Sequence, residues 1–270
     1  MTKNLIKQMM RKAEDGPQFL DSAALIEKIN NGYIAKREAK HTKKKTFAPS
    51  TLVFGHGECP RYWYLAFEGN IFEETSDAYS VANMTSGTKS HERIQQAMLD
   101  GGVAIEYLDD DNNPTTEFKV THSDPPIFGW GDAMIKWEED EIIGEIKTMK
   151  AESFENYKIK GEPAKYHVMQ LIIYMRVLGK AKGVLIYENK NNHDLLVFPI
   201  EVTEEYKLWI NNTFDWMREV YKSWKDKNLP QKNYRSNAKV CKSCPVKAAC
   251  ATAEPGVVKI RSLEKLSEAM

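Results

Sequence analysis

Only four cysteines occur in 270 residues, and their placement is the tightest constraint on how the chain can fold. Cys59 stands alone, and Cys241, Cys244 and Cys250 follow as C-x-x-C-x5-C. The C-x-x-C step brings two thiolates to one metal, and Cys250 with the distant Cys59 completes a four-thiolate site that leaves no cysteine over. Such a site ties residue 59 to a segment beginning at 241 and closes nearly a whole domain. Closing so long a loop removes unfolded-chain entropy, as a disulfide would, so the expected role is structural. Zinc and an iron–sulfur cluster both accept four thiolates, and spacing does not choose between them. Disulfides fit poorly. The opening MTKNLIKQMMRKAEDG carries charges where a secretory signal needs an apolar run, which makes the reducing cytoplasm the expected compartment.

Charge narrows the function classes. Thirty-eight basic and 38 acidic side chains cancel, so the chain is not a polycation that coats nucleic acid, and any basic surface must be local. The run KREAKHTKKK, with Lys36, Arg37, Lys40, Lys43, Lys44 and Lys45 against the single acid Glu38, reads first as a solvated charge run and second as a phosphate track. No apolar run approaches the roughly 18 to 20 residues needed to span a bilayer, so no membrane partner is expected.

Residues 1–47 read as a polar, partly helical N-terminal extension. Ser50 is placed to cap a short helix ahead of Cys59, and 77–100 read as a helix through Ala82, Met84, His91, Ile94 and Met98. Four strands follow, VAIEYL, EFKVTH, IFGWGDAMIKW and EIIGEIKTM, the last two joined through EEDE as an antiparallel hairpin. The apolar face of AKYHVMQLIIYMRVLG predicts a helix ending at Gly179. Strands GVLIYEN and LLVFPIEV and a helix capped by Thr203 complete the pattern. The order gives an α/β fold, a mostly antiparallel sheet with helices on its faces.

In the hairpin, period-two alternation puts Glu145 and Lys147 on one side of one strand, and the partner strand brings Asp132 beside them. Two carboxylates and an ammonium among Ile, Met and Trp have a chemical use. Hard oxygen ligands hold Mg²⁺ or Mn²⁺ for hydrolysis of a phosphodiester. The plainer reading is a surface hairpin with one cross-strand ion pair.

Asp132 of the GD pair, twelve residues, then Glu145 of GEIKT resembles the core of the PD-(D/E)XK nuclease superfamily, with Gly131 in place of the nominal proline, a departure that superfamily tolerates. Gly87 to His91 in SGTKSHERI and Gln170 with Tyr174 in QLIIY match the G-x-x-x-H and Q-x-x-x-Y motifs of its RecB-like branch. The context CPRYWYLAFEG and the C-terminal cysteines are similar to the iron–sulfur members, which include CRISPR-associated and phage-borne exonucleases and the AddB nuclease domain.

The resemblance covers about residues 48–252, leaving 253–270 as a tail. It implies a restriction-endonuclease-like mixed sheet, N- and C-terminal segments joined by a [4Fe–4S] cluster at the four cysteines, with zinc the lesser alternative. It also implies Mg²⁺ or Mn²⁺ held by His91, Asp132, Glu145 and the Ile146 carbonyl. Lys147 would orient or deprotonate water, and Gln170 and Tyr174 would brace the site or touch substrate. The activity implied is an exodeoxyribonuclease on single-stranded DNA or DNA ends, serving recombination, repair or phage DNA metabolism. A helicase, a recombinase or a second copy of the chain stand as protein partners. Arg61, Tyr62 and Trp63, with Lys43 to Lys45, are candidate DNA contacts, the three former alternatively packing beneath the cluster. A catalytically idle, metal-stapled DNA-binding or recombination-partner module is the competing reading.

Overall fold

A computed structural model describes residues 20–35, 43–73 and 76–266. The chain divides into two compact units. One comprises residues 1–38 with 76–84, and the other 39–75 with 85–270. The described part of the first contains α1 (Ser22–Ile34), whose N-cap Asp21 accepts hydrogen bonds from the Ala23 and Ala24 amides. The rest of the KREAKHTKKK run, residues 36–42, lies outside the described residues.

The larger unit begins with α2 (Pro49–Leu52), a 3-10 turn (Gly55–Glu58) and α3 (Pro60–Glu68). Ser50 falls inside α2, and Ala48 is its N-cap. The long helix α4 (Ala78–Asp100) follows, residues 78–84 belonging to the first unit and 85–100 to this one. Of VAIEYL, only Tyr107–Leu108 forms a strand, β1, paired with β2 (Pro114–Thr115). The rest runs along the sheet edge, where Ile105 donates to the Met134 carbonyl and Lys136 to that of Val103.

The expected strand IFGWGDAMIKW is two strands broken at Asp132. β4 (Pro126–Gly131) pairs with β3 (Phe118–Ser123) as a separate ribbon, and β5 (Ala133–Trp137) joins the main sheet. That sheet has the order β5-β6-β7-β8, with β6 (Asp140–Met149), β7 (Lys182–Asn189) and β8 (Leu195–Glu201). β6 and β7 are parallel and the other pairs antiparallel, so the sheet is mixed. A parallel pair needs a long crossover, supplied here by α5 (Ala151–Lys160) and α6 (Lys165–Leu178). The polar sequence of α5, with only Phe154 buried, hides it from a periodicity reading. α7 (Glu204–Lys225) is capped by Thr203 as expected, and α8 (Lys239–Lys242) and α9 (Lys247–Thr252) carry the C-terminal cysteines.

Alternation along the strands feeds two cores. Ile143, Leu185 and Tyr187 face α3, α6 and α7. Ile146, Val184 and Ile186 face Ile94 and Met98 of α4. Helices thus flank the mixed sheet on both sides.

The packed unit extends past both expected boundaries. Phe47, assigned to the extension, is fully buried, and its amide and carbonyl bond Pro126 and Phe128 of β4 at 2.8 and 3.0 Å. Of the expected tail, Ile260, Leu263 and Leu266 are buried, and the Trp209 and Trp216 indoles donate to the Glu264 and Arg261 carbonyls. That segment forms neither helix nor strand, so its apolar residues gave no period to read.

Candidate active site

The break after β4 is what aims Asp132. Freed from the β3 ladder, its Oδ2 accepts the Ile146 amide of β6 at 2.7 Å. Its own carbonyl is held by Gln95 Nε2 at 2.9 Å and Thr116 Oγ1 at 2.6 Å. Oδ1 lies 3.6 Å from Nδ1 of His91, which α4 carries to the same edge. Glu145 and Lys147 share a strand face, as alternation requires, and the Lys147 ammonium bonds Glu145 Oε1. Gln170 of α6 donates to that same oxygen at 2.6 Å, and its amide lies 3.5 Å from the Tyr174 hydroxyl. Tyr174 is buried against β4, where a Cβ on Gly129 would sit 3.0 Å from the Tyr174 ring, so a glycine lets the two elements approach.

Electrostatics here follow from burial. Glu145 is 1 % exposed, and its Oε2 has no hydrogen-bond partner. Desolvation first, and the Asp132 charge second, hold its carboxyl well above the ordinary range against the opposing pull of Lys147. Burial pulls Lys147 down, but Glu145 and Asp132 outweigh it and its pKa is raised. His91 is likewise raised, burial opposing and Asp132 prevailing. The Tyr174 hydroxyl is pushed far up, by burial and then by Glu145. Among the described residues no three His, Cys, Asp or Glu side chains form a ready-made ligand cluster. The site instead holds two carboxylates tied to donors, an adjacent histidine and one orphaned buried oxygen. An unpaired carboxylate oxygen in a dry site is costly, and a cation satisfies it.

The sequence thus anticipates His91, Asp132, Glu145, Lys147, Gln170 and Tyr174 as one constellation. It misses Gln95 and Thr116, which fix the Asp132 backbone. Gln95 had a signal, standing four residues after His91 on the same helix face. Thr116 had none.

Cys59, Cys241, Cys244 and Cys250 line one cavity of about 100 Å³, with His56, Tyr62 and Val246 among its other walls. Burial, reinforced by the other cysteines, pushes the Cys59 thiol up to about 11 and that of Cys244 up to about 12. The four are free thiols, and Cys244 senses the charge of the other three.

The expected DNA contacts at 61–63 are corrected. Arg61 is 1 % exposed and donates to the carbonyls of Pro230 (2.7 Å), Ala253 (3.3 Å) and Glu254 (2.7 Å). Tyr62 and Trp63 are buried, the Trp63 indole donating to the Gly57 carbonyl at 2.8 Å. A buried guanidinium spent on three backbone carbonyls and an enclosed indole cannot meet phosphate or a base, so the packing alternative holds. Lys44 is drawn over the Trp63 and Phe72 rings, and burial lowers its pKa. Lys43 lies over Trp224, and Lys45 is exposed.

Among the described residues no helix is long and apolar enough to cross a membrane. No protein-family model and no curated protein matches the chain. Among solved structures it is similar to the alkaline exonuclease LHK-Exo from Laribacter hongkongensis, at 13 % identity and a TM-score of 0.49 over 73 % of this chain and 95 % of that one. LHK-Exo in complex with dAMP matches at 14 % identity and 0.49 over 67 % and 89 % of the two chains. SSO0001 matches at 18 % identity and 0.40 over 90 % and 100 %. Likenesses this distant carry nothing toward function, which rests on the residues themselves.

Proposed function

We propose that the chain is a divalent-cation-dependent deoxyribonuclease of the PD-(D/E)XK type, acting on single strands or DNA ends. The observation that carries this reading is Glu145, a carboxylate buried to 1 % with one oxygen unpartnered, beside Asp132, Lys147 and His91. A binding module that meets phosphate gains nothing from buried acids that repel it.

Asp132, Glu145 and His91, with the Ile146 carbonyl that the family resemblance adds, would hold Mg²⁺ or Mn²⁺, since oxygen donors with one imidazole suit a hard cation. Bound there, the cation supplies charge that stabilises the phosphate as it is attacked. The protein's own groups do the rest. Lys147 donates toward the attacking water and a phosphate oxygen while Glu145 fixes its position. Gln170 holds Glu145 in its rotamer, and the Ile146 amide fixes Asp132. Gln95 and Thr116 fix the Asp132 backbone, so the carboxylates are preorganised rather than gathered by substrate.

The four thiols around one cavity suit a soft, four-thiolate group, and the RecB-like resemblance favours [4Fe–4S] over zinc. Its work is to tie the 3-10 turn and α3 to α8 and α9. Protein purified without oxygen should be brown and contain iron; a colourless chain with one zinc would overturn the cluster and leave the nuclease standing.

The activity test is digestion of a labelled single strand with Mg²⁺ or Mn²⁺ against EDTA, with Asp132→Ala and Lys147→Ala alongside. Loss in EDTA and in both variants supports the assignment. DNA binding with no cleavage in either metal would favour the idle module, and cutting of closed circles at fixed positions would make it an endonuclease.

A further inference from the structure

A second buried carboxylate lies one strand away and has no part in the chemistry above. Glu188 of β7 is fully buried, and its Oε1 bonds both Arg93 of α4 and, at 3.2 Å, Nδ1 of His193. Arg93 Nη2 and His193 Nδ1 are 3.3 Å apart, and Glu188 Oε2 has no partner. The two groups above the carboxylate face solvent, with side chains 51 % and 62 % exposed. His193 sits in the turn after β7 with a left-handed φ of 64°.

A surface ion pair needs no buried partner, and a fully desolvated carboxylate with one oxygen unsatisfied is a poor way to pin a helix. Its effect is to fix one edge of the Arg93 guanidinium and leave the remainder facing water. Position gives that edge a purpose. Glu188 is in register with Thr148, three residues beyond Glu145 on the neighbouring parallel strand. Arg93 follows His91 by two residues on the helix that meets Asp132. Arg93 and His193 therefore stand at the carboxyl ends of the parallel pair, where ligands of such sheets bind, on the α4 face of the sheet and across it from the face that carries Glu145 and Lys147.

We propose that Arg93 and His193, braced from beneath by Glu188, form a second phosphate subsite that grips a further phosphate of the substrate strand, distinct from the one being cleaved. Arg93 is the contact residue, and Glu188 is a positioning residue. The inference rests on the nuclease reading and assigns how that site holds its substrate.

The test is the double variant Arg93→Gln/Glu188→Gln in the full chain, which removes the cation and its buried partner together and strands no charge. Affinity for a fluorescent single-stranded oligonucleotide, measured in Ca²⁺ across a salt series, should fall roughly tenfold or more. The slope of log K against log salt should shrink by about 0.7, one phosphate contact on a single strand. An equal loss for oligonucleotides with hydroxyl and phosphorylated ends assigns an internal diester; a loss confined to phosphorylated ends assigns the terminal phosphate. Mn²⁺-dependent hydrolysis of bis(4-nitrophenyl) phosphate, which has no neighbouring phosphate, should be unchanged. Unaltered affinity and salt slope would overturn the subsite, as would equal loss of turnover on the small diester. A wild-type chain inactive on both substrates would defeat the nuclease reading, while the salt slope would still decide the subsite.

Discussion

Gln170 Nε2 donates to Glu145 Oε1 at 2.6 Å, joining the crossover helix to the strand 25 residues earlier in the chain. The bond is buried, and the carboxylate it holds has its other oxygen unpaired. Gln170→Ala removes a donor from a charged acceptor, a change of about 1–3 kcal/mol. The expected outcome is a fall in kcat of roughly ten- to a hundredfold with KM for DNA nearly unchanged. Gln170→Glu sets a like charge against Glu145 and should be worse. Steady-state kinetics alongside Tm decides: a raised KM with intact kcat would make Gln170 a substrate contact.

Gly131 explains the departure from the nominal motif. A Cβ on this residue would lie 2.3 Å from Cζ of the buried Phe118 ring, which occupies the space a larger residue needs. Gly131→Ala should cost about 1–3 kcal/mol by overpacking and displace Asp132, the next residue. Adding Phe118→Leu should recover part of both stability and activity. Urea unfolding of the single and double variants measures it, and strictly additive losses would contradict the clash.

Arg61 is a structural residue. Arg61→Ala leaves the buried Pro230 carbonyl and two part-buried carbonyls without their donor and should destabilise the fold by about 1–3 kcal/mol. Arg61→Lys should recover only part, lacking the planar fork. Folded Arg61→Lys should bind single-stranded DNA with wild-type salt dependence; a shallower slope would restore Arg61 as a phosphate contact.

His167 gives the fold an acid-sensitive element. Its Nδ1 pairs with the Tyr187 hydroxyl at 2.7 Å, and burial, then the Lys147 charge, hold its pKa down to about 3. The unfolded chain takes up that proton near pH 6.5. Between about 6.5 and 3 the unfolded state therefore binds more protons, so stability is lost as pH falls, by at most ~1.4 kcal/mol per pH unit from this residue. His56, lowered to about 4 by burial and then Lys44, acts with the same sign. His167→Gln should flatten the decline in urea midpoint between pH 7 and 5; identical pH profiles would contradict it.

What the sequence made legible was whatever rests on period and spacing. Alternation along β6 put Glu145 beside Lys147, the i, i+4 step put Gln170 beside Tyr174, and Gly179 marked the end of α6. What it concealed depended on tertiary choices. Nothing local says that the chain changes partner strands at Asp132, because both halves of IFGWGDAMIKW have the same β-rich texture. Arg61 reads equally as a phosphate contact or a buried brace until Pro230, Ala253 and Glu254 come beneath it. Glu188 and Arg93, 95 residues apart, share no motif at all.

The most direct test is a Mn²⁺ titration followed by electron paramagnetic resonance on the wild-type chain and on Asp132→Ala and Glu145→Ala. The account predicts one bound ion in the wild type, lost or greatly weakened in either variant, whose circular dichroism stays native. Stoichiometric Mn²⁺ retained by both variants, or no binding to the wild type, would contradict it.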